Sequence, residues 1–206
     1  MYNRIAGQSL ERLAALSDGV FAIAMTIIVL EIRLPAAAVE VTSEADLLRA
    51  LGTLEPQMLT YLLSFLTLGM FWLGQQTQLH HLQQSDRVLS WIHFAFLSVI
   101  CLLPFSTTLL SEYLAFRTAL VLYWLNILLL GVLLLWSWRY ATRHALNKPD
   151  APAGLTRAIE RRIIVAQALY AFGAALCVFS TYLSVIVIIV VQVFAIVPRN
   201  RGPLNF

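Results

Sequence analysis

An acidic side chain set among apolar neighbours either handles ions or ties helices together, and Asp18 sits that way in the run Leu13 to Ile32, LAALSDGVFAIAMTIIVLEI. Ser17 precedes it, Gly19 follows it and Arg12 stands just upstream. Asp18 lies about five residues into the run, roughly 7 to 8 Å along a helix, too deep for a short side chain to reach bulk water easily. It therefore calls for a protein partner. Arg12, six residues earlier, is about 240° away around the helix, so the two cannot pair on one face and must reach different neighbours. One reading is a polar network that joins this helix to other helices or subunits, with Arg12 at the interface. The other is an extended N-terminal cap, since carboxylates favour helix starts. Gly19 permits close helix approach in either case.

Farther along the same run, Ile23, Thr26, Ile27 and Leu30 recur at spacings of three, four and seven, which place them on one helical face. A stripe of branched apolar side chains is commonly lipid-facing or packed core. Repeated around a symmetry axis, however, it makes a constriction that water enters reluctantly, and Thr26 adds a ring of hydroxyls. The small residues Gly19, Ala22 and Ala24 on a helix that already bears Asp18 favour this second reading.

The second apolar run ends in a polar tail, FWLGQQTQLHH from Phe71 to His81, with Asp86 just beyond. Trp72 and Gln75, one turn apart, are candidate donors to Ser17 and Asp18. His80 and His81 suggest a metal site, but adjacent residues point about 100° apart on a helix and chelate one ion poorly, unlike an i, i+4 pair. A solvated helix extension is the alternative. His93 stands alone in the third run, as interior histidines do. Glu31, Glu40, Glu44, Asp46 and Glu55, against Arg33 and Arg49, leave one mouth net negative, a field that concentrates cations; a solvated acidic loop fits as well. No Gly-x-Ser-x-Gly elbow, phosphate loop or intramembrane zinc pair occurs, and Ser106-Thr107-Thr108 has no base beside it in sequence. Neither an enzyme nor a bound cofactor is expected.

The elements that position these residues are apolar helices. Of the 206 residues, 60% are hydrophobic and 12% charged, with a mean hydropathy of +0.78, whereas a soluble domain carries roughly 25% charge. Six runs qualify as spans of about 17 to 25 residues: Leu13 to Ile32, Met58 to Gln75, Val88 to Leu110, Ala115 to Trp138, Ile163 to Phe179 and Tyr182 to Val197. The chain is therefore read as one domain, residues 1–206, of an all-α integral membrane protein. Only an acidic loop, Arg33 to Glu55, and a basic loop, about 139–162, exceed a few residues.

Eleven of the fourteen Lys and Arg residues fall on one side, among them Arg4, Arg12, Arg87, Arg139, Arg199 and Arg201; Arg33, Arg49 and Arg117 fall on the other. The positive-inside rule then puts both termini in the cytoplasm. This distribution explains the +3 charge without a nucleic-acid partner. The first run lacks a cleavage site and is expected to persist. Cys101 and Cys177 lie inside runs and read as apolar packing. Pro149 and Pro152 mark the turn before the last two runs, which form a tight hairpin near Ser180 to Leu183. The final run looks lipid-facing or peripheral, with only Gln192 to explain. Inverted-repeat carriers show matched helix breaks, and Pro104 has no counterpart. That weighs against a carrier that titrates Asp18, the alternative function.

The stretch Arg12-x-x-x-Leu16-Ser17-Asp18-Gly19-Val20-Phe21 resembles the Arg-x-x-x-Phe-Ser-Asp signature of the transmembrane protein 175 family of potassium channels, with Leu16 in place of the motif Phe. Phe71-Trp72 and Leu103-Pro104-Phe105-Ser106 extend the resemblance, and Gln75 stands where many members carry His. The resemblance implies a prokaryotic single-repeat member that assembles as a homotetramer in the bacterial cytoplasmic membrane and passes potassium with modest selectivity. It further implies that the first helix lines a central pore, without a Thr-Val-Gly-Tyr-Gly filter. Ile23 would be the main gate, Thr26 the layer favouring potassium, and Ile27 and Leu30 further constrictions. Arg12, Ser17 and Asp18 would organise structure without binding ions.

Overall fold

Side-chain caps mark the starts of two of the apolar helices, and a proline or a left-handed glycine opens two others. The computed structural model describes residues 9–33, 43–150, 152 and 154–196; of the residues named above, Arg4, Glu40, Val197, Arg199 and Arg201 lie outside them. Helix α1, Leu10–Leu30, starts at Ser9, whose Oγ accepts the Arg12 N–H at 3.3 Å. Helix α3, Glu55–His80, has Pro56 in its first turn. Helix α4, Arg87–Glu112, is capped by Asp86, whose Oδ1 accepts the Leu89 N–H at 2.7 Å. Helix α5 is Arg117–Arg143 and helix α6 is Leu155–Ala175, the latter entered through Gly154 at φ 89°, a left-handed conformation that glycine adopts without strain. A 3-10 turn, Leu176–Val178, leads into α7, Thr181–Ile196.

Among the described residues five helices are long and apolar enough to cross a membrane, and α7, on the sixth run, is a shorter apolar helix of 16 residues. Two differences from the sequence reading have physical reasons. The basic loop is shorter than about 139–162, because α5 continues to Arg143 and α6 begins at Leu155. Exposed arginines on one face are compatible with helix, and hydropathy alone stops too early. The acidic loop contains helix α2, Glu44–Gly52. Its signal is Ser43-x-x-Asp46, a capping pattern in which Ser43 Oγ accepts the Asp46 N–H at 3.2 Å.

Helix α4 packs on α1, α3 and α5; α5 also packs on α6, and α7 on α3 and α6. Phe96 on α4 meets Phe21 of α1 at 6.1 Å and Phe71 of α3 at 6.3 Å between ring centroids, which joins the three helices. Close approach depends on glycine at two places. A Cβ at Gly131 would fall on the Gln167 side chain, and one at Gly173 would lie 2.6 Å from Ile188 Cγ1.

A neutral polar chain runs through the middle of the subunit. Ser64 Oγ is hydrogen-bonded to Thr107 Oγ1 at 2.7 Å and lies 3.1 Å from the Tyr123 hydroxyl, which is 3.2 Å from Thr67 Oγ1. Gln192 Nε2 donates to Thr67 at 2.7 Å and to Tyr170 at 3.4 Å. Thus α7 is not wholly lipid-facing: Thr181, Ser184, Val185, Ile188 and Gln192 are buried on one side, and Val190, Val193 and Phe194 are exposed on the other. Near the ends of α3 and α5, Leu13, Leu79, Leu82, Leu89, Ala141 and Leu146 form a second apolar cluster that seats the start of α1.

Candidate functional site

Helix α1 has two faces. Leu13, Ser17, Phe21, Ala24 and Ile28, spaced by four and three, are buried against α3 and α4. The opposite side leaves Leu16, Ile23, Thr26, Ile27 and Leu30 on the surface of the subunit, with Ile23 61% and Leu30 63% exposed. Thr26 Oγ donates to the Ile23 carbonyl at 2.8 Å, so its proton is held within the helix.

Helix α3 grips α1 at both ends. At one end, Trp72 Nε1 donates to Asp18 Oδ1 at 2.8 Å and Gln76 Nε2 donates to the same oxygen at 2.6 Å. Gln75 Nε2 donates to Ser17 Oγ at 3.1 Å, and Ser17 in turn donates to the Leu13 carbonyl at 2.8 Å. A carboxylate that accepts two charge-assisted bonds is a firm anchor. At the other end, Gln57 accepts the Arg33 N–H at 2.8 Å and donates to the Arg33 carbonyl at 3.1 Å. The rotation of α1, and hence the direction of its exposed stripe, is set by these contacts.

The structure thus brings Ser17, Asp18, Trp72 and Gln75 together, and adds Gln76. The added residue was readable as the i+4 neighbour of Trp72 on the same helix. Arg12 does not join them: it is exposed, on the same side of α1 as Leu16 and Ile23, and its guanidinium has no hydrogen bond among the described residues. His80 and His81 stack edge to face at 5.2 Å, and His81 Nδ1 lies 2.8 Å from the Thr77 carbonyl. No group of three metal-ligating side chains occurs among the described residues. His93 is buried, 3.4 Å from the Ser137 hydroxyl.

The sequence profile of the family described as endosomal/lysosomal potassium channel TMEM175 matches residues 12–104, which take in most of α1, all of α2 and α3, and most of α4. A protein named as a potassium channel from Streptomyces collinus is 33% identical over 149 residues, 69% of this chain and 70% of that one. Another so named, from Chamaesiphon minutus, is 30% identical over 193 residues, 92% of this chain and 94% of its own length. The crystal structure of a lysosomal potassium-selective channel TMEM175 homolog from Chamaesiphon minutus superposes with a TM-score of 0.75 at 28% identity, covering 90% of this chain and 95% of that one. Similarity of sequence over nearly the whole length, and of fold over the same span, makes this chain a multi-pass membrane protein of the TMEM175 family.

Proposed function

We propose that the chain is one subunit of a homotetrameric, modestly potassium-selective cation channel in a bacterial cytoplasmic membrane, with six membrane-crossing helices and both termini in the cytoplasm. Four copies of α1 surround the central axis. Ile23 forms the main constriction, Ile27 and Leu30 form further apolar layers, and Thr26 supplies the hydroxyl layer between them. Arg12, Ser17, Asp18, Trp72 and Gln75 orient α1 and hold subunits together; potassium is the permeant ion and no cofactor takes part.

The observation that carries this reading is the uncovered stripe of α1. A helix clamped to α3 at two places, yet presenting Ile23, Thr26, Ile27 and Leu30 outward, has its rotation fixed for a purpose other than packing within the subunit. Branched apolar rings narrow enough to shed water gate conduction without a charged filter. Similarity to channels named for potassium supports potassium as the permeant ion.

The test is a reversal potential from purified protein in liposomes with potassium on one side and sodium on the other. A sustained current reversing toward the potassium equilibrium potential is expected. Reversal at zero would remove the selectivity, and a small saturating flux abolished by Asp18→Asn would replace the channel with a carrier.

A further inference from the structure

Helices α3 and α6 face each other across a cleft of about 600 Å³, including its open mouth. Gly74 on α3 and Ala166 on α6 form part of the walls, and two such small residues leave room that larger side chains would fill. The inner part is apolar, with Met70 and Phe71; Tyr170 closes it, its hydroxyl 3.4 Å from Met70 Sδ, and Ile163 stands beside Arg162 toward the other end. Eight residues separate Met70 from Gln78 and Arg162 from Tyr170, about 12 Å along each helix. The cleft is therefore deep, narrow and greasy at one end.

The other end is polar and basic. Arg162 lines the cleft half-buried, and no carboxylate pairs with it among the described residues; nearby Glu160 is engaged by Arg139 at 3.2 Å. Gln78 is 1% exposed, and its Nε2 donates to the Leu134 carbonyl at 3.0 Å while its Oε1 has no partner. Midway along the cleft, one turn from Tyr170, Gln167 donates to the Ile127 carbonyl at 3.3 Å, and its Oε1 has no partner among the described residues. A buried amide oxygen without a donor is costly. The site thus offers one cation, two acceptors and an apolar channel long enough for part of a hydrocarbon tail. Arg162 also borders a second cleft of about 410 Å³ between α6 and α7, so apolar space lies on both sides of the charge.

We propose that the α3–α6 cleft binds an anionic phospholipid: the phosphate meets Arg162, a hydroxyl of the headgroup donates to Gln78, and one acyl chain runs inward past Ile163 toward Met70 and Phe71. Charge complementarity selects an anionic over a zwitterionic lipid. The site shares no residue with the exposed face of α1, so it stands whether or not α1 lines a pore.

The experiment uses purified wild-type protein, native mass spectrometry and a phosphatidylglycerol carrying a photoreactive diazirine in its acyl chain. Phosphatidylglycerol should be retained in preference to phosphatidylcholine, and the label should fall in the peptides containing Met70 to Gln78 and Ile159 to Tyr170. Arg162→Gln should lower the preference about fivefold, whereas Arg157→Gln, exposed on the same helix, should leave it unchanged. Ala166→Phe should remove the label. Labelling elsewhere in the wild type overturns the proposal without reliance on any variant, as does equal retention of the two lipids. Displacement by glycerol phosphate as effective as by phosphatidylglycerol would show a free-anion site and overturn the acyl assignment.

Discussion

The buried and exposed faces of α1 are made of nearly the same materials. Each has branched aliphatic side chains and a single hydroxyl, Ser17 on one and Thr26 on the other. Their neighbours differ. Ser17 is wholly buried and accepts from Gln75, and Phe21 meets Phe96; the stripe through Ile23 and Leu30 is uncovered within the subunit. Hydrophobicity alone does not tell a packing face from a functional one. The uncovered side of α1 is the one proposed to line the pore.

If that contrast is right, substitutions on the two faces separate into changes of stability and changes of current. The largest effect is expected from Phe21→Ala, which empties the junction of α1, α3 and α4 and should cost about 3 kcal/mol, read as a lowered unfolding midpoint in detergent. A midpoint that stays put would show that the buried face contributes little. Ile23→Ala should do the opposite, raising single-channel conductance several-fold with no change in the midpoint, because a narrower apolar ring is replaced by a wetter one. An unaltered current would take Ile23 out of the gate.

Asp18, between the two faces, and Arg12, on the exposed one, should act on assembly. Asp18→Asn weakens both bonds from α3, and Arg12→Ala removes an exposed cation whose side chain has no partner among the described residues. Both should reduce the recovered oligomer on gel filtration, Asp18→Asn more than Arg12→Ala; normal recovery would confine these residues to the monomer. The smallest expected effect is that of Thr26→Val, a fall of about twofold in the potassium-to-sodium permeability ratio at similar conductance. A preserved ratio would make Thr26 one more apolar-layer residue.

Helix positions were legible because long apolar runs in a membrane chain have few other fates, and Trp72 and Gln75 stood out as polar residues at the end of such a run. The chain Ser64, Thr107, Tyr123, Thr67 and Gln192 was not, since its members lie on four helices and each alone is an ordinary interior residue. Helix α2 was hidden by its polar composition, although Ser43 and Asp46 spelled out its cap. The α3–α6 cleft depends on where Gly74 and Ala166 come to lie opposite one another, which no local pattern encodes.

The hydrogen bond from Thr26 to the Ile23 carbonyl has a bearing on the sign of charge that α1 would admit. A hydroxyl whose only hydrogen points back along its own backbone can offer the axis nothing but lone pairs. In the assembly proposed here, four such oxygens would welcome a partly dehydrated cation and give chloride no donor to replace its water. Anion rejection then needs no carboxylate ring, only a threonine turned inward on its own helix.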